Sequence, residues 1–385
     1  MDLTLRVLIT GARCGLVAAL LAASLRAATP SDPHEQLKAA GVLSDTDALQ
    51  LEAGETVAKV LDSPDRAEVV SFAATRVRAS ASRFLECTRD VSCLRANEDV
   101  LEVGRFGPVP RPSDLAGLSL DARDREHLSR CEIGRCDVRL PESAIERFRT
   151  GIDWSSPGNP TSAAELFRIT LAGFASAYLA EGNRALAIYH DNPHPAAVGA
   201  SINELLQRQW FALDGCPELV AYLRDFPEAH LASAEEFVYW YKEKFWRKTL
   251  VSLNHVIVYP KNEGTTSRVY VASKQLYATH YLESSIEALV FEGDPGGGSG
   301  TLVFLSRTRA DTRPAGFNWL ERVIIRRLVR GRLENQFRQL RRRLETSDTT
   351  NDLEAGEPAA CADRASRDGT SVTSRSNLWA SWASS

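Results

Sequence analysis

Polar side chains that could take part in chemistry concentrate in a part of the chain whose pattern predicts β-strands. They comprise two histidines, a lysine, a tyrosine and three charged residues at every second position of the last strand. The ligand-binding candidates are His255, Lys274, Tyr277, His280, Arg307, Arg309 and Asp311. Alternate residues of a strand share a face. A sheet with such residues on one face would line a cavity with polar groups, as a ligand site or an acid–base site requires.

A hydrolase is one interpretation of these residues, with His255 or His280 as general base and Asp311 as its partner. No Gly-x-Ser-x-Gly nucleophile elbow accompanies either histidine, so a serine nucleophile of that kind is not visible. The structural alternative makes His255 a hydrogen-bonded core residue and pairs Arg309 with a carboxylate such as Asp311. We expect the structural role for Arg309 and leave the catalytic residues unassigned.

Strand alternation also predicts which of these residues face the same way. It groups His255 with Leu253 and Ile257, and it groups Arg307 with Leu305 on the last strand. Apolar neighbours of this kind point inward. We therefore expect His255 and Arg307 to face one interior, against the C-terminal helix or a cavity.

Four of the cysteines form two close pairs, Cys87 with Cys93 and Cys131 with Cys136. In an oxidising compartment such pairs form disulfides, and free thiols are the alternative. A structural zinc site needs four ligands, and no histidine lies suitably near. The histidine and aspartate cluster at 190–194 is interpreted as a surface turn. We expect no metal and no other cofactor.

The first 27 residues match a secretory signal peptide. Arg6 supplies a positive charge, residues 15–25 form a short apolar core, and small residues follow at Ala27 and Ala28. The core is shorter than the roughly 20 residues of a membrane span, although a retained anchor is the alternative. We expect an exported protein, periplasmic or secreted, that begins near Ala28.

Composition narrows the class of protein. The chain has 385 residues, 44% of them hydrophobic, and a net charge of −4, which is ordinary for a folded soluble domain and unlike a nucleic-acid binder. We expect one α+β domain over 28–346. Residues 347–385 are polar and poor in large apolar side chains, which predicts a disordered tail.

Periodicity predicts the elements of that domain. Strands are expected over 66–79, 99–106, 250–259, 267–282, 285–292 and 301–310. A helical insertion is expected over 161–247, because Ser162, Ser201 and Ser233 each begin a capping-box pattern and aromatic residues follow at helical spacing.

A long helix is predicted over 318–345. Its apolar positions, including Leu328 as a fully buried one, are Leu320, Ile324, Leu328, Leu333, Phe337, Leu340 and Leu344. Its other face is rich in arginine, at Arg322, Arg326, Arg330, Arg338, Arg341, Arg342 and Arg343. We expect the apolar stripe to pack on the sheet, with most arginines in water. Attachment of the arginine face to a membrane is the alternative.

Two resemblances add to this interpretation. The run 272–281 resembles a family of uncharacterised exported bacterial proteins, as do Tyr239 and Trp240 before it and Arg307, Arg309 and Asp311 after it. That resemblance implies no activity and no site residues. The order of elements resembles START-type helix-grip proteins, which implies a curved antiparallel sheet gripping a C-terminal helix around an apolar cavity.

Together these observations predict an α+β fold: a curved antiparallel sheet, a helical insertion and a long C-terminal helix packed on the sheet. The leading functional hypothesis is a non-enzymatic binder of an apolar or amphipathic ligand in the bacterial envelope. The expected partners are a lipid or small apolar molecule, or a membrane surface, and no nucleic acid. The hydrolase and the peripheral membrane protein stay as alternatives.

Overall fold

The computed structural model describes residues 37–95, 97–263, 266–310 and 319–354, and at 263, 266, 319–325 and 347–354 it describes the backbone alone. The expected signal segment, Asp311, Cys361 and residues 355–385 lie outside the described residues. The expected tail from 347 onward begins inside the last helix, which continues to Glu354.

Eight strands form one antiparallel sheet in the order β1-β2-β10-β9-β8-β7-β6-β3, and β4 and β5 form a separate two-stranded ladder. The predicted strands all appear, within four residues at each end. Their bounds are β1 Val57–Leu61, β2 Glu68–Val77, β3 Val100–Arg105, β4 Ile188–Tyr189, β5 Ala196–Ala197, β6 Glu235–Phe245, β7 Lys248–Glu263, β8 Thr266–Ala278, β9 Leu282–Gly293 and β10 Gly300–Ala310.

Besides the helical residues 37–39, the described residues form nine α-helices and three 3₁₀ turns. The helices are α1 Asp45–Glu52, α2 Ala81–Arg89, α3 Val91–Leu94, α4 Ala122–Leu128, α5 Glu142–Gly151, α6 Asn159–Glu181, α7 Val198–Leu206, α8 Pro217–Asp225 and α9 Trp319–Glu354. The 3₁₀ turns are Pro112–Leu115, Gly182–Ala185 and Phe211–Leu213. The α+β class, the antiparallel sheet and the packed C-terminal helix are as predicted.

The helical insertion lies between β3 and β6, over 106–234, so both of its predicted bounds, 161 and 247, are wrong. Residues 235–245 form strand β6, in which Tyr239 packs on one face of the sheet and Trp240 on the other. A strand buried on both faces lacks polar alternation. Its aromatic residues therefore fit helical spacing as well as strand spacing, and the capping pattern at Ser233 was misleading.

The other two predicted caps, Ser162 and Ser201, lie inside helices and not at their starts. Helix α6 begins at Asn159 with Pro160 in its first turn, and α7 begins at Val198. Proline in the first turn fixes the backbone at a helix start, which places Ser162 within α6. Ser201 is buried in α7, where its hydroxyl lies 2.6 Å from that of Ser284.

The two faces of the sheet pack against different layers. The insertion face, which carries Leu253, Ile257 and Leu305, packs against the helical insertion. The opposite face carries Val258 and Phe304 and packs against α2, α3 and α9, and we call it the α9 face. The sheet is thus the middle layer of three, and both of its faces contribute to a core.

Both predicted disulfides are present. Cys87 and Cys93 join α2 to α3 with a Cα separation of 5.2 Å, and Cys131 and Cys136 close a loop after α4 at 4.5 Å. Both separations fit disulfide geometry. Cys216 is buried with a free thiol. No helix within the described ranges is both long enough and apolar enough to span a bilayer.

Helix α9 packs on the sheet through the second half of its predicted stripe. The buried residues are Leu333, Phe337, Leu340 and Leu344. The expectation for Leu328 is wrong, because this side chain is 41% exposed and lines a cavity below the helix. Leu320 and Ile324 lie where side chains are not described. Arg342 is exposed as expected, whereas Arg341 bonds to Gly54 O and Glu345.

Stability should therefore depend on the second half of the stripe. Phe337→Ala removes a side chain that is 1% exposed and should lower the free energy of unfolding by about 3–5 kcal/mol. Leu328→Ala should cost less than about 1 kcal/mol. Urea denaturation of both variants measures this. Equal losses would contradict the packing described here.

Candidate functional site

His255 belongs to a closed network on the insertion face. The Tyr178 hydroxyl lies 2.9 Å from His255 Nδ1, and His255 Nε2 lies 3.1 Å from Glu236 Oε2. Tyr222 donates to the same carboxylate at 2.6 Å. Burial lowers the pKa of His255, so the ring is neutral, with Nε2 donating to Glu236 and Nδ1 accepting from Tyr178. Both ring nitrogens are thus occupied by the protein.

Lys274 lies beside this network and is fully buried. Its ammonium donates to Asn183 Oδ1 and to Leu223 O, both at 2.8 Å, and lies 4.9 Å from the centre of the Tyr178 ring. Burial lowers the pKa of Lys274 to about 7. Its contacts hold the sheet to the insertion, which is a structural role.

His280 and Tyr277 are also engaged by protein atoms. His280 Nδ1 lies 3.0 Å from Asp137 O, and Nε2 lies 3.1 Å from Asp124 Oδ1. Tyr277 donates to Arg139 O at 2.8 Å. The ring of His280 touches the edge of the cavity below α9, but neither nitrogen is free for a substrate.

Arg307 and Arg309 form ion pairs on β10, three strands away from His255 in the sheet. Arg307 pairs with Glu68 at 2.8 Å, and Arg309 pairs with Glu204 and, at 3.6 Å, with Asp65. Since Asp311 lies outside the described residues, its expected pairing is not addressed. The structural role expected for Arg309 is consistent with these contacts.

His255 and Arg307 do share a face, in one cross-strand row that runs His255, Lys274, Ile286, Arg307. Three strand spacings of about 4.8 Å separate them by about 14 Å. Their partners differ, so the candidates do not converge on one site. The face also packs against the helical insertion and not against the C-terminal helix, which corrects the expectation.

The α9 face holds a different set of polar residues, at the bottom of a cavity of about 460 Å³ between the sheet and α9. We call this set the polar band: Ser71, Asn254, Ser273, Gln275, Ser285, Glu287, Ser306 and Thr308. Pairing across the strands puts Ser273, Glu287, Ser306 and Ser71 in one row. Asn254 and Gln275 pair in the next row.

Gln275 is the clearest sign of a binding site in the polar band. Its side chain is 2% exposed and lines the cavity, and its amide nitrogen has no hydrogen-bond partner among the described residues. Other members of the polar band have partners, such as Ser285 with Thr308 at 2.7 Å. A buried donor without an acceptor is costly, which singles out Gln275 within the polar band.

Two charged groups enter the cavity beside the polar band. Arg95, which follows α3, donates to Tyr239 at 2.6 Å and to Glu287 at 2.8 Å. Glu243 of β6 lines the cavity, and burial raises its pKa to about 7 despite the nearby Arg95 and Arg332. Glu243 can therefore accept or donate a hydrogen bond near neutral pH.

The apolar walls complete the cavity. Helix α9 contributes Leu328, Val329 and Leu333, and an aromatic rim contributes Tyr241, Phe245, Trp246 and Tyr281. The cavity can thus hold a molecule with one polar and one apolar side. No group of three or more His, Cys, Asp or Glu side chains in the described ranges could hold a metal ion.

The sequence contained a signal for the polar band. Polar residues at 273 and 275, at 285 and 287, and at 306 and 308 repeat with period two. Lys274 and Arg307, each one residue away from this pattern, are the charged residues that suggest chemistry. A shift of one residue moves a side chain to the other face, so these two side chains lie on the insertion face.

Comparison with known proteins assigns no family. No protein-family model matches the chain, and no curated protein matches it. The resemblances to the exported bacterial family and to helix-grip proteins stay predictions.

The buried Lys274 predicts a pH dependence of stability. Its pKa is depressed in the folded state, so the unfolded chain binds more protons above pH 7, and stability rises with pH there. Against Lys274→Met, the wild type should gain up to about 1.4 kcal/mol per pH unit between pH 7 and 9. Urea denaturation of both proteins across this range is the measurement. A pH-independent difference would refute the depressed pKa.

Proposed function

We propose that this exported protein binds an amphipathic small molecule in the cavity between α9 and the polar band. The observation that carries the proposal is that α9 packs on the apolar part of its sheet face and leaves the polar part uncovered. Buried polar groups are costly unless they are satisfied. A ligand that bonds to the polar band removes that cost.

The shape and lining of the cavity support a small ligand with two different sides. Its volume of about 460 Å³ lies within the range of about 300–1,000 Å³ for small-molecule sites. The sheet offers hydroxyl and amide groups, whereas α9 and the aromatic rim offer apolar contacts. A ligand with its polar end on the sheet and its apolar part along α9 satisfies both. The two disulfides support an oxidising, extracytoplasmic location.

The hydrolase alternative has less support. Both ring nitrogens of His255 and of His280 already have protein partners. Burial also raises the pKa of Tyr178, the hydroxyl nearest to His255, well above its usual value. This hydroxyl therefore keeps its proton and is a poor nucleophile.

The membrane alternative rested on the arginines of α9, several of which bind the fold. Arg326 pairs with Asp62 at 2.8 Å, Arg332 pairs with Asp99 at 3.1 Å, and Arg343 donates to Ser92 O at 2.6 Å. These contacts tie the helix to the layer beneath it. They give the arginines a purpose that needs no membrane.

Filling the cavity should abolish binding without unfolding the protein. Ser306→Phe places a ring into the cavity from its floor, where there is room for it. We expect the wild type to bind the uncharged dye Nile red with a blue shift in emission, and the variant to lose at least nine-tenths of that signal. Its melting temperature should stay within a few degrees of the wild type.

The matched control is Ser113→Phe, which makes the same change at an exposed position and should bind the dye as the wild type does. Dye binding that survives in Ser306→Phe, or a wild type that does not bind, would contradict the proposal.

A further inference from the structure

Resting on the proposed function, we infer that the polar end of the ligand is uncharged and offers an oxygen acceptor, a carbonyl or a hydroxyl, to the amide nitrogen of Gln275. The first support is this buried nitrogen, which has no partner in the described part of the chain. Because the nitrogen is closed off from the cavity, a turn of the Gln275 side chain brings it to a ligand oxygen, which supplies the missing acceptor. Gln275 is then the residue that determines head-group specificity.

The charges around the cavity argue against an anionic head group. Four cationic side chains line the cavity, and each is already engaged by the protein. Three are in ion pairs, Arg95 with Glu287 at 2.8 Å, Lys248 with Asp137 at 2.5 Å and Arg332 with Asp99 at 3.1 Å. The fourth, Arg139, lies over the ring of Tyr189 at 5.3 Å. A ligand carboxylate or phosphate would have to compete with these partners for a cation.

The aromatic rim argues against a cationic head group. Such rings attract cations, but each of the four already has a cation of the protein within 6 Å. The pairs are Arg95 with Tyr241 at 4.7 Å, Arg332 with Phe245 at 5.0 Å, Arg247 with Trp246 at 5.6 Å and Lys248 with Tyr281 at 5.9 Å. A ligand ammonium would therefore have to displace a cation of the protein from one of these rings.

Glu243 fits an uncharged head group as well. Its carboxyl group lines the same cavity as Gln275 and is balanced between its protonated and ionised forms near pH 7. A hydroxyl group can donate to a carboxylate or accept from a carboxylic acid. An alcohol, a glyceride or another hydroxylated amphiphile therefore matches the site in either state.

A head-group series with one chain length tests this inference. At pH 8, 1-decanoylglycerol, sodium decanoate and decylammonium chloride would displace Nile red from the oxidised full chain. We expect the glyceride to displace the dye at a concentration at least tenfold below that of either charged probe. Gln275→Leu should weaken the glyceride about tenfold, as expected for one lost hydrogen bond, after each displacement curve is corrected for the directly measured dye affinity of that protein. The control Gln50→Leu, at an exposed position, should behave as the wild type.

A stability measurement separates recognition from a structural role. Since the Gln275 nitrogen has no partner to lose, Gln275→Leu should melt at or above the wild-type temperature, whereas a lower melting temperature would overturn the inference. The inference would also be overturned if a charged probe bound best, if the three probes bound alike, or if the glyceride did not displace the dye. In these cases the proposed function of the cavity as a binding site would still stand. Failure of the dye itself to bind would overturn the proposed function.

Discussion

The arrangement of the molecule depends on a change of polarity along one face of its sheet. On the α9 face, one cross-strand row, which contains Val258 and Phe304, is apolar from β7 to β2, and Phe337 and its neighbours on α9 pack on this face. The adjoining rows contain Ser273, Gln275 and other hydroxyl or amide residues. An apolar helix stripe stabilises the fold only where it covers apolar surface. The helix therefore packs tightly on one part of the face and leaves a cavity over the other.

On the insertion face, by contrast, the polar residues of the His255 network are hydrogen-bonded to one another and to the insertion. There His255, Glu236 and Tyr178 bond to one another, and Lys274 bonds to the insertion. A satisfied buried network fixes the relative position of the layers. The polar band on the α9 face is not closed in this way, because Gln275 lacks a partner in the part of the chain described. One sheet thus carries a closed polar network on one face and an open one on the other.

Local patterns predicted much of the fold. The strands from 250 to 310 follow period two, the last helix has an apolar stripe, and the cysteine pairs are close in sequence, so each signal lies within one segment. The segment 235–245 was assigned to a helix because a strand buried on both faces shows no alternation. The predicted end of the insertion was wrong for the same reason.

The candidate site was harder to predict, because its essential relations are long-range. Both faces of the sheet are buried, so alternation groups residues by face but does not say which layer covers each face. The His255 network is closed by Tyr178 and Glu236, which lie on other elements and are distant from His255 in the sequence. Arg95, which enters the cavity, is likewise distant in the sequence from its partner Glu287. The partnerless amide nitrogen of Gln275 is likewise visible only once the layers are assembled.

The most direct test of this account is mass spectrometry of small molecules released from natively purified protein. The protein would be purified from its host without detergent in the oxidised form and then denatured in organic solvent. The account predicts one uncharged, oxygen-containing amphiphile in near-stoichiometric amount. Two results would contradict it. One is that no molecule is released and native mass spectrometry gives the mass of the polypeptide alone; the other is that the released ligand is strongly charged.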